Sequence, residues 1–570
     1  MTPEATRIPS SHVPALVVQA AALAAALAAA LASGCANTAA EDSSRAAASQ
    51  GTANADAEAP RAGTDSGGVA AADGADASAV DAPLFATMVD QLPLSRWTEG
   101  VEPADVDRDG DLDLFFADGP AFVAPGPKQQ NQLEINRLDE VVAAWSNESV
   151  LRLGAHASHA KMVVTGDVDG DGWVDALFCN AFRTDPPFLY HNRGAGQPGW
   201  FDLESEQRGF TTPYNSGSGQ FGDVDDDGDL DLVLCDSGEH LLMGEGAAPH
   251  LFLNDGRGHF AERVDLLPAP VKRARVDVQL ADLDGDFDLD ALFANRAENA
   301  GGNHDLLLND GSGRFTPLAG AVPDASKNVY EIEVGDLDGD RDLDLFFLSL
   351  SDYAEGPAEN RLVPDGELVF RAGAPLGDLD DNEAALLDYD MDGDLDVLVG
   401  SLAGEEKLLW NDGGFAFRQH AGPVTGVEDP TLDIAVADVD GDARYDLVAA
   451  QGEGDPSRYT NRVHLGRGPK DTRAPRIVAV SAGSWRAATQ EWVVHVQVRD
   501  EVMDDGQDWV VAEARARLGD RPWGAARATR MGAGLWRLAS ACASEADGRR
   551  IAFEFVATDA AGNRTTEVLR

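Results

Sequence analysis

The sequence predicts an all-β protein: a seven-bladed β-propeller followed by a small β-sandwich. Three observations predict it. One Asp-rich pattern recurs seven times at intervals of 50 to 62 residues. Short apolar, strand-like runs separated by Gly, Asn and Asp lie between its copies. After residue 468 the pattern stops and a different strand-rich stretch begins. A long period repeated this often marks a repeat architecture. Units of four short strands, set side by side, describe a propeller.

Residues 13–32 are apolar and Ala-rich and run into LASGC at 31–35. This resembles a bacterial lipoprotein signal, although Arg7 is the one basic residue ahead of it and Ala32 stands where Leu is commoner. The resemblance implies that residues 1–35 are the signal and that Cys35 becomes the lipidated first residue. An ordinary signal peptide and a retained membrane anchor are the alternatives. Ala36, not Asp, follows the cysteine, which by the same resemblance implies an extracytoplasmic chain anchored at a bacterial outer membrane or cell surface. Residues 36–83 are almost free of large apolar side chains. Such a segment cannot offset its ordering entropy by burial, so it reads as a disordered tether with a mean reach of roughly 40 Å.

Residues 84–468 hold the repeats. In the fifth, VYEIEV (329–334) enters the Asp loop, LDLFFLS (343–349) leaves it, and NRLVP (360–364) and LVFRAG (368–373) read as the third and fourth strands. Asn-Asp-Gly followed by an aromatic, as in LFLNDGRGHF (251–260), reads as a tight hairpin. The seventh repeat stops after its third strand, NRVHLG (461–466), while LFATMVDQLP (84–93) matches the fourth-strand segment HFAERVDLLP (259–268). The N-terminal segment is therefore expected to complete the last blade and close the ring.

The pattern is D-x-D-x-D-x-x-x-D. Position 1 is Asp105, Asp167, Asp223, Asp282, Asp336, Asp388 and Asp438. Position 3 is Asp107, Asp169, Asp225, Asp284, Asp338, Asp390 and Asp440, and position 5 is Asp109, Asp171, Asp227, Asp286, Asp340, Asp392 and Asp442. Position 9 is Asp113, Asp175, Asp231, Asp290, Asp344, Asp396 and Asp446. Position 7 offers a backbone carbonyl, from Asp111, Trp173, Asp229, Asp288, Asp342, Asp394 and Arg444. A hard divalent cation takes oxygen ligands at this spacing, and calcium suits an all-protein cage better than magnesium. The helix-loop-helix calcium module needs an acid at position 12, but here that position is Phe116, Phe178, Leu234, Phe293, Phe347, Val399 and Ala449.

Loops, period and strand pattern together resemble FG-GAP or VCBS-type repeats, related to the propeller of integrin α chains. The resemblance covers about residues 84–466, with QFGDVDDDGDLDL (220–232) the closest match. It implies about seven Ca²⁺, one per blade, in the loop between first and second strands. Position 6 favours a left-handed backbone and so Gly; Phe287, Arg341 and Ala443 depart, at about 1–2 kcal/mol each. With Arg444 beside it, the seventh loop is expected to be the weakest site.

The loops joining second and third strands vary most and lie on the face opposite the Asp loops. Phe122, Arg183, Tyr353 and Tyr459 are candidate ligand contacts there, or merely pack their own loops. Residues 469–475 read as a linker, and 469–570 as an Ig- or fibronectin-like β-sandwich, with strands expected at 492–500, 535–540 and 551–563.

Acidic residues number 99 and basic ones 44, a net charge of -55, which argues against nucleic acid as a partner. Four cysteines are too few for a disulfide scaffold, and Cys179 and Cys235 read as buried thiols, with a bridge the alternative. No nucleophile elbow or phosphate loop is present, and His156 and His159 lack an acidic partner at a catalytic spacing. The expected function is a non-catalytic, calcium-binding, membrane-tethered module that binds or adheres to a protein or glycan. A polysaccharide lyase or hydrolase on the same scaffold, and a purely structural envelope protein, are the alternatives.

Overall fold

A computed structural model describes residues 83–570 apart from 89–91, 93, 123, 138–144, 240–245, 270, 297–303, 324–328, 350–354, 377–380, 403, 421–422, 425–429, 454–458 and 504–508. The signal, Cys35 and most of the tether lie outside the described residues. Those that are described fall in one compact unit, Ala79–Arg570. Among them, no helix is long and apolar enough to cross a membrane.

Each of the first six repeats is a four-stranded antiparallel meander in sequence order, and the seventh supplies three strands of a four-stranded sheet. The first strands run directly into the Asp loops: Thr98–Ala104, Ala160–Gly166, Gly219–Gly222, Arg275–Ala281, Val329–Gly335, Asp381–Leu387 and Thr431–Ala437. Consecutive first strands contact one another, and Thr431–Ala437 contacts Thr98–Ala104, so the cycle is closed. The second strands, such as Asp113–Asp118 and Asp344–Ser349, are buried at every residue. They read as continuous apolar runs because both of their faces are covered.

The apolar clusters lie between sheets rather than within them. Phe115 and Leu133 of the first repeat pack with Val163 and Phe178 of the second. Val101, Leu114 and Phe116 of the first pack with Val436's neighbours Ala435 and Ala437, and with Val448, of the seventh. Burial of these faces on the order of 25 cal/mol per Å² is what joins the repeats.

The expected closure is found. Phe85–Thr87 pairs with Arg462–Gly466 as the fourth strand of the last sheet, with Phe85 opposite Gly466 and Thr87 opposite His464. One strand expectation fails. NRLVP is not the third strand of repeat 5; that strand is Gly356–Asn360, and Leu362–Asp365 forms one helical turn. Pro364 cannot donate to a ladder. Asn360 instead accepts the Leu362 N–H on its Oδ1, and Gly366, at φ 73°, ends the turn.

Residues 476–569 form two antiparallel sheets. One contains Arg476–Val480, Glu491–Arg499, Leu535–Ala541 and Arg527–Gly532; the other contains Gly524–Ala525, Val511–Leu518, Ile551–Thr558 and Arg564–Leu569. Trp492, Val496, Leu538, Phe553 and Phe555 fill one core between them. This unit docks at the Asp-loop end of the first strands. Val502–Met503 extends the sixth sheet beside Leu386 and Leu387, the Asp223 N–H donates to the Met531 carbonyl at 3.0 Å, and Trp509 Nε1 donates to the Val436 carbonyl at 2.8 Å.

Candidate functional site

Each Asp loop is a turn held by its own carboxylates. Position 1 accepts the N–H of position 6: Gly110 to Asp105 at 3.2 Å, Gly172 to Asp167 at 2.8 Å, Gly228 to Asp223 at 3.0 Å, Phe287 to Asp282 at 3.1 Å, Gly393 to Asp388 at 2.8 Å and Ala443 to Asp438 at 2.8 Å. In repeat 5 the Gly339 N–H takes that role toward Asp336 at 2.9 Å. Position 5 accepts the N–H of position 7, as in Asp229 to Asp227 at 3.1 Å. The turn folds the chain back on itself and brings carboxylates together. Ligand atoms of Asp105, Asp107 and Asp109 lie within 4.8 Å of one another, as do those of Asp167, Asp169 and Asp175, of Asp223, Asp225 and Asp231, and of Asp282, Asp284 and Asp286.

Position 6 is left-handed as expected, and the non-glycines adopt the same conformation: Phe287 at φ 73°, Arg341 at 88° and Ala443 at 66°. Position 4 is left-handed as well, which the sequence reading missed. It is occupied by Arg108, Gly170, Asp226, Gly285, Gly339, Met391 and Gly441. The three loops without Gly at position 6 all have it at position 4. Only the second loop has both, so in backbone terms loops 4, 5 and 7 are no worse than loops 1, 3 and 6. The expected cost of a non-glycine at position 6 therefore does not by itself set loops 4, 5 and 7 below the others.

Position 9 anchors the loop to the sheet. Its Oδ2 accepts the N–H of position 2 in all seven repeats, for example Val224 to Asp231 at 3.1 Å. Its Oδ1 accepts a backbone N–H at the end of the third strand, from Asn136, Asn192, Asn254, Asn309, Asn360, Asn411 or Gly466. Those six asparagines do more than turn a hairpin. Each donates from Nδ2 to the carbonyl of position 8 in its own loop and to the carbonyl of position 2 in the preceding repeat. Asn136 reaches Val439 in the seventh repeat at 2.9 Å and so latches the ring shut. The signal was in the sequence, as an Asn at the end of six third strands, but it is also a turn signal and was read as one.

Burial drives the loop carboxyls upward. Asp113, Asp175, Asp344, Asp396 and Asp446 are pushed to about 8, chiefly by desolvation, against the backbone N–H bonds that lower them. Asp288 rises to about 8 and Asp342 to about 7, by desolvation with a further push from the neighbouring Asp286 and Asp340 carboxylates. Acids raised this way want a cation. Six of the seven loops also hold buried carboxylate oxygens with no hydrogen-bond partner: Oδ1 of Asp105, Asp107 and Asp111 in the first, and of Asp225, Asp288, Asp342, Asp390 and Asp442 in the third to seventh. An unpaired buried oxygen is costly, and a hard cation is its natural partner. The donor set thus fits a divalent cation. The second loop differs, because His191 Nε2 lies 2.9 Å from Asp169 Oδ2 and shares a ligand-competent cluster with Asp169 and Asp171.

Protein cations reach several loops. Arg444 pairs with Asp442 as the sequence suggested. Arg473, from the linker, donates to Asp388 Oδ2 at 2.6 Å and sits on the sixth loop as well. Arg152 donates to Asp107 Oδ2 at 3.1 Å in the first. The seventh loop is therefore not singled out by its arginine.

The other candidates pack locally. Arg183 makes a two-pronged bond to Asp236 at 2.9 and 2.7 Å. Phe122 and Tyr459 both pack edge-on against Trp97, and Tyr459 is buried. Tyr353 lies outside the described residues. His159 bonds Thr184 and the Gly126 carbonyl, and His156 the Leu153 carbonyl. Cys179 and Cys235 are free and buried, and burial pushes the Cys179 thiol up to about 12.

The family described as FG-GAP-like repeat matches residues 157–234, 282–347 and 388–449. Each match spans two consecutive Asp loops, so six of the seven fall inside. No curated protein matches the chain. Among solved structures, BBS1N in complex with ARL6DN is similar over 68% of this chain and 99% of that one, at 12% identity and a TM-score of 0.39. A fungal alcohol oxidase of the AA5 family, in complex with copper, is similar over 85% of this chain and 99% of that one, again at 12% identity and a TM-score of 0.39. On its matched repeats and their shared loop geometry, the chain is an FG-GAP repeat-containing protein.

Proposed function

We propose that this is a calcium-loaded, seven-bladed propeller with a C-terminal β-sandwich, tethered outside the cytoplasm through Cys35. It acts as a binding or adhesion module for a protein or glycan. FG-GAP-like repeats point to a propeller-type binding or adhesion module. The observation that carries the calcium reading is the set of partnerless buried carboxylate oxygens aimed into six of the seven loops. Calcium ions there offset part of the loop charge and stiffen the ring. The C-terminal unit takes the Asp-loop side, which leaves the opposite side, with its long and varied loops, for recognition.

The test is an array of proteins and glycans probed with the mature, lipid-free chain, with and without calcium. The expected result is retention of one ligand class without chemical change, lost when calcium is chelated. Breakdown of a glycan during the incubation would overturn the binding reading in favour of an enzyme.

A further inference from the structure

The first strands share a defect. In six of the seven, the pairing with the second strand skips one residue at the same place: Glu99, Lys161, Val276, Tyr330, Asn382 and Leu432. Each lies six residues before the first Asp of its loop. A bulge leaves its extra residue unpaired and re-aims the side chain. All six, with Gly217 from the third repeat, line one pocket of about 80 Å³ at the end of the ring away from the Asp loops. Every repeat thus contributes one bulged or equivalent position to a single axial site, which no local motif announces.

The chemistry of the pocket is one-sided. Asn382 is 5% exposed; its Nδ2 donates to the Leu432 carbonyl at 2.7 Å, which fixes the amide, and its Oδ1 has no partner. A buried acceptor in that state calls for a donor from outside the protein. Asp277, Glu383 and Asp433 line the same pocket. The one ammonium in the wall among the described residues, Lys161, has used its three donors on Glu99 at 2.5 Å and on the carbonyls of Gly119 and Ala121 at 2.7 and 2.9 Å. It therefore has nothing left for an anion. Phe122, Met162 and Leu432 supply an apolar wall. The occupant these groups select is positively charged, donates N–H bonds, and carries a short alkyl group.

We propose that the axial pocket binds the ammonium group of a small primary amine, with Asn382 Oδ1 as the directional acceptor. The site is independent of the Asp loops, so the test is run on the calcium-replete full chain. Methylammonium chloride is titrated calorimetrically, beside tetramethylammonium chloride, which has the charge but no donor, and sodium acetate. A ligand of two heavy atoms is limited to millimolar affinity, so the titrations extend above that range. Methylammonium is expected to bind, tetramethylammonium at least about tenfold more weakly, and acetate not at all. Asn382→Leu is expected to weaken methylammonium at least about tenfold, with some fall in melting temperature because the Leu432 carbonyl loses its donor. Equal binding of the two ammonium ions, binding of acetate, or no heat with methylammonium overturns the proposal. The comparison of ligands on the unmodified chain decides the matter even if the variant fails to fold.

Discussion

Asn254 donates from Nδ2 to the carbonyl of Val168, 86 residues earlier in the preceding repeat, at 2.7 Å, and to the carbonyl of Leu230 in its own loop at 3.0 Å. One amide group thus satisfies two buried carbonyls and ties two sheets together. Asn254→Ala leaves both unsatisfied and should cost about 1–3 kcal/mol. A calorimetric melt would register this as a clear fall in melting temperature, and an unchanged melt would show that the latch is dispensable. Repeat 7 has Gly466 in this place, where a Cβ would lie 2.1 Å from the Tyr445 carbonyl. Gly466→Asn should therefore destabilise rather than supply a missing latch.

Ring closure makes a second prediction. Phe85 is 2% exposed and packs on Tyr389 at 5.3 Å between ring centroids, and Tyr389 donates from its hydroxyl to the Leu84 carbonyl at 2.6 Å. Deleting residues 84–93 should lower the melting temperature markedly, because it opens an edge and exposes that core. Deleting 36–80 should leave it in place. Equal melting of the two truncations would contradict closure by the N-terminal segment.

What the sequence disclosed, and what it hid, divides by range. The Asp loops were legible because their ligands lie within nine residues and repeat. Closure was legible because residues 84–93 match 259–268. The latch was hidden because Asn254 also reads as a turn residue, and its partner is 86 residues away. Position 4 was hidden because Arg108, Asp226 and Met391 conceal a left-handed site that glycine marks in the other four repeats. The position of Arg473 on the sixth loop, and of Met531 on Asp223, depends on how the C-terminal unit docks. No local pattern encodes that.

His464 gives a pH prediction. It is fully buried opposite Thr87, whose hydroxyl lies 3.0 Å from Nδ1, and burial, helped by Arg462, holds it down to about 3. Its folded value lies below its ordinary 6.5, so the neutral ring's contribution is complete above about 6.5. It is lost as the pH falls toward about 3, at up to about 1.4 kcal/mol per pH unit. His464→Gln removes this titration. Thermal melts from pH 7 to pH 4 should show the wild type losing stability relative to the variant; a constant difference across that range would refute the assignment.

Asp226 is the docking anchor of the C-terminal unit. It is 7% exposed and accepts from Arg537 Nε at 2.8 Å and His495 Nε2 at 3.0 Å, with Arg486 also paired to it. Arg537 is 1% exposed and is left with the more distant Glu491, at 3.8 Å, once the Asp226 carboxylate is removed, a loss of up to about 3–5 kcal/mol. Asp226→Asn should loosen docking and speed proteolysis in the 469–475 linker. Cleavage at the wild-type rate would place the anchor elsewhere.

Calcium is the central claim. Positions 1, 3, 5, 7 and 9 of the seven loops hold 33 aspartates, five in each loop except four in the second and four in the seventh. Ions that bind the folded loops and not the unfolded chain stabilise by about 2.7 kcal/mol per site at a hundredfold excess over Kd. Several such sites rival the whole stability of an ordinary domain, about 5–15 kcal/mol. The most direct test is calorimetric melting of the full chain before and after EGTA, with calcium or magnesium then restored. The account predicts a large fall in melting temperature on chelation, recovered by calcium and less well by magnesium. A melting temperature indifferent to EGTA and to both ions would contradict it.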